Sequence, residues 1–472
     1  MINNYLESQI KENFPYQPTS EQNLVLKKLA QFLFSPLADH LFLLRGYAGT
    51  GKTSLVGALV KTLDQLEQKC VLLAPTGRAA KVFSAYSGHP AFTIHKRIYR
   101  QRSFSGDMGN FSLNDNLNKH TIFIVDESSM IANDGLSGAT FGTGRLLDDL
   151  VHYVYSGEGC RLLLMGDTAQ LPPVGEELSP ALYADALRGY GLEVTEVELT
   201  QVVRQAETSG ILWNATSLRR LIADEDCWTL PKIRVSGFAD VRVLPGDELI
   251  EELDNCYNRD GMDETIVICR SNKRANIYNN GIRGRILWRE EELESGDLLM
   301  VAKNNYFWTE QEKEMDFIAN GETAVVRRVR RERELYGFRF VDASLRFPDY
   351  GDYEVEVTLL LDTLHSDAPA LSRADNERLF QAVLEDYADI PLKRDRMLKM
   401  KQDPYYNALQ VKYAYAITCH KAQGGQWRNV FLDQGYLSDE FLTPDYFRWL
   451  YTAFTRAKGT LYLVNYPAEQ VE

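Results

Sequence analysis

This chain is short of several things, and each shortage excludes something. It has six cysteines in 472 residues, at 70, 160, 227, 256, 269 and 419, and no pair is spaced C-x-x-C. That pattern argues against zinc and iron–sulfur centres and for a reducing, cytoplasmic location. No apolar run approaches the roughly 18 residues a membrane-spanning helix needs, and the opening Met1-Ile2-Asn3-Asn4-Tyr5-Leu6-Glu7 lacks the basic and apolar regions of a secretion signal. No membrane partner is expected. Positive charge is also short: 52 Lys and Arg face 66 Asp and Glu, a net charge of −14. The overall field therefore repels phosphate, and any nucleic-acid contact must be a local channel. Long-period repeats and low-complexity tails are absent, as is any extra carboxylate cluster that could host a nuclease. The remaining composition, 44% hydrophobic and 25% charged, is that of an ordinary globular protein.

What the chain does have is a recurring strand–loop–helix pattern. Pro18-Thr19-Ser20-Glu21-Gln22, followed by Leu24, Val25, Leu29 and Leu33, predicts a capped amphipathic helix. An apolar run over 41–44 leads into a glycine loop and then helical spacing over 55–63. Cys70–Ala74 precedes Pro75-Thr76-Gly77-Arg78 and a helix over 79–86, and further strands are expected at 122–125 and 162–165. A second unit begins at Thr265–Cys269, with a helix after Ser271-Asn272, and resumes at 413–417, 430–432 and 461–464. Short apolar strands joined by helices predict an α/β fold with parallel sheets covered on both faces. Between the halves, residues 325–329, 337–341 and 353–361 alternate or run apolar with turns between, predicting a small antiparallel barrel or sheet. A helix over 372–387 and a basic stretch (Lys393, Arg394, Arg396, Lys399, Lys401) follow. The basic stretch reads either as a solvated helix face or as a nucleic-acid or partner surface. A polar insertion over 102–119 fits a hairpin, and the glycines at 135, 138, 142 and 144 mark a loop over 134–144.

Gly46 to Thr53 read G-Y-A-G-T-G-K-T between an expected strand and helix. This is a phosphate-binding loop, in which main-chain N–H groups curl around phosphates at a helix N-terminus. Gly46, Ala48, Gly49, Thr50, Gly51 and Ser54 would line it, Lys52 would reach the β- and γ-phosphates, and Thr53 would hold Mg²⁺. ATP and Mg²⁺ are therefore the expected cofactors. Asp126-Glu127 closes an apolar strand, where Asp126 would hold the metal shell and Glu127 would polarise the attacking water. Gln170, in Gly166-Asp167-Thr168-Ala169-Gln170, could contact the γ-phosphate. Arg204 and Arg456 are candidate arginine fingers, although a lone arginine is more often solvated or ion-paired. Gln22 fits either an adenine contact or the far half of a capping box begun by Thr19.

In order along the chain, these segments resemble the motifs of superfamily 1 DNA helicases of the RecD/Dda type. The matches are Gln22, GYAGTGKTS, APTGRAAK, Thr93-Ile94-His95, DESSM, GDTAQLPPVG, Arg204, Thr418-Cys419-His420-Lys421-Ala422-Gln423-Gly424 and YTAFTRA. The resemblance implies two RecA-like domains, 1–200 and 201–290 with 405–472. It implies a hairpin wedge at 102–119 in the first and an SH3-like barrel, 291–404, inserted in the second. It implies that Gly424 lies at the nucleotide. It implies single-stranded DNA crossing both domains at Pro75, Thr76, Arg78, Thr93, His95, Ser271, Asn272, Thr418, His420 and Lys421, with Phe92 or Tyr99 able to stack on a base. For His95 and Phe92 core packing is the competing reading, and for 102–119 a plain surface hairpin. The chain departs from the family at Val203, where an aromatic often precedes the motif arginine. It also lacks the extended signature after the acidic pair that marks the Pif-type relatives.

The expected activity is an ATP-dependent helicase or single-strand translocase, moving 5′ to 3′ by resemblance. It is expected to act as a monomer on single strands and junctions in DNA repair or recombination. Two rivals stand beside it. One is a nucleotide switch or assembly subunit indifferent to DNA, and the other is a motor on RNA, since backbone contacts need not probe the 2′-hydroxyl.

Overall fold

The computed structural model describes residues 2–101, 111–135, 141–202, 208–309, 315, 317–437 and 442–472. Its centre is a parallel sheet of six strands. Their order is Ala91–Thr93, Cys70–Ala74, Ile122–Val125, Arg161–Gly166, His40–Gly46 and Glu193–Leu199. The inner strands are largely apolar, with Leu41, Phe42, Leu43 and Leu44 fully buried, because helices cover both faces, whereas the edge strand Glu193–Leu199 mixes polar and apolar residues. The three strands that end in the glycine loop, the acidic pair and the Asp167–Gln170 turn are neighbours in this order. Their C-terminal loops consequently converge on one crevice, the usual ligand position in such sheets.

A second parallel sheet has the order Ala416–Thr418, Thr265–Cys269, Trp427–Asp433, Ala457–Val464 and Val241–Leu244. Between its first and later strands the chain makes a closed barrel of Leu298–Val301, Thr323–Leu335, Phe338–Phe347, Tyr353–Leu360 and Leu409–Tyr413. Two of these were not anticipated. Leu298–Val301 is only four residues long, too short to give a period. The stretch 413–417, expected as one strand of the second sheet, is two: Leu409–Tyr413 closes the barrel and Ala416–Thr418 edges the sheet. Its unbroken apolar character arises because the chain passes from one core straight into the other.

The barrel and second sheet share a buried core that runs from Val267 and Phe431 to Leu345 and Val411. A buried ion pair pins their junction: Arg283 Nε and Nη2 lie 2.9 and 3.0 Å from the Asp297 carboxylate oxygens. The expected helices are Arg373–Asp386, capped by Ser372, and Lys393–Lys401. Both pack Leu379, Val383 and Met400 against Phe338 and Phe340 of the long barrel hairpin.

The insertion in the first domain pairs Tyr99–Gln101 with Phe111–Leu113, so its first arm begins before 102–119 and its second arm lies within it. Residues 102–110, and 136–140 of the glycine loop, lie outside the described residues. Phe111 contacts the barrel's Tyr306 with ring centroids 4.2 Å apart, and Phe141 stacks on Phe111 at 4.8 Å. The hairpin base is therefore fastened to the barrel by aromatic packing.

Candidate active site and nucleic-acid interface

The glycine loop follows a buried strand and turns into the helix Lys52–Gln65. Gly49 and Gly51 have φ of +76° and +85°, conformations a side chain would strain. This curl aims the loop amides and the helix N-terminus at one point. Lys52 Nζ lies over the loop, donating to the carbonyls of Gly46 and Tyr47. Thr53 and Ser54 continue the first turn, with Thr53 exposed.

Asp126 sits at the neighbouring strand end. The Tyr86 hydroxyl donates to Asp126 Oδ2 at 2.5 Å and the Glu127 N–H donates to Oδ1 at 2.7 Å. Burial, and after it the adjacent Glu127 charge, push the Asp126 carboxyl up to about 6. A bound cation would reverse that shift. The Thr53 hydroxyl and the Asp126 carboxylate are hard oxygen donors. Among the described residues no group of three or more His, Cys, Asp or Glu could hold a metal. Such a sparse oxygen set fits Mg²⁺, which keeps waters and takes substrate phosphate oxygens. Glu127 has φ +52°, a left-handed turn that points the chain out of the strand at the acidic pair.

Arg456 crosses from the second domain at the end of the helix Pro444–Phe454. It is 3% exposed. Its Nε donates to the Thr452 carbonyl and Nη1 to the Gly425 carbonyl, 3.1 and 3.3 Å. Nη1 also lies 3.8 Å from Glu127 Oε1. Gln170 closes the triangle: with its amide nitrogen toward Glu127 it donates to Oε2 at 3.3 Å and accepts from Arg456 Nη2 at 3.3 Å. Three side chains read separately in the sequence thus form one network across the cleft. Arg204 falls outside the described residues.

The structure adds partners that sequence reading missed. Tyr451 donates to Asp167 Oδ2 at 2.5 Å and accepts from the Ala48 N–H at 2.9 Å, bridging the phosphate loop and the Gln170 turn from the second domain. Leu171 is held at both main-chain ends, its N–H by Thr452 Oγ1 (2.9 Å) and its carbonyl by Gln423 Nε2 (2.8 Å). Arg219 lies over the Tyr47 ring at 4.3 Å. Tyr451 and Thr452 stand inside the YTAFTRA segment, but a tyrosine on an apolar helix reads as core.

Two residues expected at the nucleotide have protein partners of their own. Gln22 forms the capping box: its N–H donates to Thr19 Oγ1 and its Oε1 accepts from Thr19 N–H. Its Nε2 donates to the Thr50 carbonyl at 2.9 Å. The buried amide is thus engaged at both ends, bracing the phosphate loop. Gly424 approaches the first domain. A Cβ there would meet Ala79 Cβ at 2.7 Å and Thr76 Oγ1 at 3.4 Å. It lies at the N-terminus of the Gly77–Ser87 helix, because only glycine allows so close an approach.

Most of the residues expected to contact the strand are engaged within the protein. Thr76, Thr93 and Ser271 are N-caps, their hydroxyls accepting from the N–H groups of Ala79, Lys96 and Arg274. Asn272 begins the helix that Ser271 caps, and Pro75 precedes Thr76. Thr418 caps Cys419–Ala422 without a side-chain hydrogen bond. His95 packs against Tyr99 and Phe141, and burial pulls its imidazole down to about 4. It is neutral at physiological pH and brings no charge to the path. Phe92 is partly buried against the first-domain core, with Lys96 Nζ 5.7 Å from its ring centre. Tyr99 is buried and donates to Asp149 Oδ2 at 2.7 Å, which withdraws it from base stacking. Burial pulls His420 down and brings Lys421 down to about 8. Lys421 Nζ has no hydrogen-bond partner among the described residues.

Comparison with known proteins agrees with this layout. The AAA domain family model matches residues 21–221, and the UvrD-like helicase C-terminal domain model matches 413–464. An uncharacterized protein of Acanthamoeba polyphaga mimivirus is 22% identical over 94% of this chain and 98% of its own length. The ATP-dependent RecD2 DNA helicase of Deinococcus radiodurans is 29% identical over 61% of this chain but only 36% of its own length. The ATP-dependent DNA helicase dda of Enterobacteria phage T4 is 25% identical over 59% of this chain and 58% of its own. Among solved structures, Bacteroides Pif1 helicase in complex with ADP-AlF3 and ssDNA aligns with a TM-score of 0.50 at 16% identity, covering 97% of this chain and 95% of that one.

Proposed function

We propose a mechanism for a chain that belongs to the superfamily 1 helicases of the RecD, Pif1 and Dda type and is an ATP-dependent DNA helicase. ATP binds between the two sheets. The loop amides of Gly49 to Thr53 and the Lys52 ammonium take the β- and γ-phosphates, and Gln22 braces the loop through Thr50. Thr53 and Asp126 would hold Mg²⁺, which when bound would neutralise phosphate charge. Glu127 orients the attacking water and accepts its proton. Gln170 and Arg456 reach the γ-phosphate from opposite sides, and Arg456 offsets the charge that develops during transfer, an effect worth roughly 10³–10⁵ in rate. Arg204 supplies a second such charge.

The observation that carries this reading is the network of Arg456, Gln170 and Glu127. It makes the catalytic geometry depend on how the two domains sit together. Domain closure then accompanies each turnover, and the seam along Thr76, Ser271, Thr418 and Lys421 shortens and lengthens with it. A single strand held there by its phosphates is moved, 5′ to 3′, and the hairpin beginning at Tyr99 splits the duplex ahead. The protein works as a monomer on single strands and junctions in the cytoplasm.

The test is steady-state ATP hydrolysis with and without single-stranded DNA, with matched RNA as control. Strong stimulation by DNA is expected. Turnover indifferent to both would overturn the motor and leave a nucleotide switch, and stimulation by RNA alone would reassign the track. Unwinding of a duplex tailed only at its 3′ end would overturn the polarity.

A further inference from the structure

Arg78 was expected on the DNA, and the structure gives it a protein partner. Its guanidinium carbon lies 3.9 Å from the centre of the Trp427 ring, well within cation–π range. Burial disfavours its charge, an effect that Asp349, Glu264 and Asp263 partly offset, yet no hydrogen bond or ion pair to it occurs among the described residues. Asp349 pairs instead with Lys81. The guanidinium is thus oriented by a ring and left with its edge donors uncommitted.

Trp427 is 3% exposed and opens the strand Trp427–Asp433 of the second sheet. Its N–H donates to the Arg456 carbonyl at 2.9 Å. The Arg456 Nη1 donates to the Gly425 carbonyl at 3.3 Å. Gly425 itself has room for no side chain: a Cβ would meet the Trp427 ring at 2.5 Å and Arg78 Nε at 2.8 Å. The stack, the glycine beneath it and the finger arginine are therefore one contiguous unit. It joins the strand side of the seam to the nucleotide side.

A guanidinium held over an indole face by cation–π attraction needs no protein acceptor for its N–H fork, and that fork matches a phosphate bidentately. Fixing it in advance removes part of the ordering cost of binding. We propose that Trp427 is a positioning residue, whose ring holds Arg78 ready for a phosphate of the single strand and ties that grip to Arg456 in the nucleotide cleft. This rests on the helicase reading, and it adds a residue and a route that reading does not require.

The test is a double-mutant cycle read by binding of a fluorescein-labelled oligothymidylate to the full chain, across a salt series. Trp427→Leu, which keeps bulk and loses the π face, is expected to weaken binding roughly three- to tenfold, and Trp427→Phe less than about twofold. Arg78→Ala should weaken binding similarly and lower the salt slope by about 0.7. Trp427→Leu added to Arg78→Ala should then cost nothing further. Because Trp427 is buried, Arg78→Lys serves as the variant that leaves the core intact: its point charge cannot lie flat on the ring, and binding should still fall. Additive losses, or equal effects of Leu and Phe, overturn the positioning role. Wild-type protein that binds no oligonucleotide overturns this proposal and the helicase reading together, whereas binding without stimulated turnover overturns only the latter.

Discussion

The nucleotide cleft and the proposed strand path use their polar side chains in opposite ways. In the cleft the side chains converge: Glu127, Gln170 and Arg456 approach one another from three separate segments. Along the path they turn inward. Thr76, Thr93 and Ser271 spend their hydroxyls capping helices, and His95 and Tyr99 are packed away. What such a path offers phosphate is oriented main-chain N–H groups and a few cations. The lesson is that a chemical step needs individual atoms at defined points, while a sequence-blind grip needs only repeated backbone.

That contrast can be broken by substitution. Lys52→Ala should lower ATP turnover by roughly 10³-fold, since no other cation on the loop replaces it. Arg456→Ala should cut kcat by a similar factor, about 10³, while the KM for ATP moves only a few-fold. Loss of binding with kcat retained would place Arg456 outside the reaction. Tyr451→Phe removes one hydroxyl that serves both Ala48 and Asp167. Steady-state kinetics should show a loss of about tenfold, larger than one neutral hydrogen bond, because buried Asp167 is left short of a donor.

On the path the effects should be smaller. Lys421 loses its proton near 8 because burial disfavours its charged form, and phosphate contact favours that form. Affinity for single strands should therefore be highest below pH 8 and fall a few-fold on raising the pH from 7 to 9. Lys421→Arg should flatten most of that decline in a fluorescence titration. Smallest of all is Thr76→Ala. Loss of the cap should cost about 1 kcal/mol of stability in a denaturant melt and change strand affinity less than about threefold. A larger drop would mean that the hydroxyl itself reaches the DNA.

The seam also shows why some features were legible in the sequence. The glycine loop, the acidic pair and Gln170 each follow an apolar strand, and three adjacent strands of one sheet must bring their ends together. Local pattern sufficed there. Gln22 was ambiguous because its cap and its contact with Thr50 involve the same amide. Gly424's partner was hidden because a glycine gives no sign of which neighbour demands it, and here the neighbour, Ala79, is more than three hundred residues away. The barrel's first strand was too short for a period. Trp427 and Tyr451 were hidden for a deeper reason: on apolar elements they look like core, and their functional partners become visible only once two domains meet.

The barrel is joined to the second sheet at the split stretch, where only Ala414 and Tyr415 separate Leu409–Tyr413 from Ala416–Thr418. The Tyr415 hydroxyl donates to Asp297 and accepts from the Leu298 N–H, and Asn279 ties both Tyr413 and Ala416 to the neighbouring helix. The barrel is thus hydrogen-bonded to the domain that carries it on both sides of a two-residue link. The aromatic clasp of Tyr306 on Phe111 adds a second anchorage, to the hairpin of the first domain.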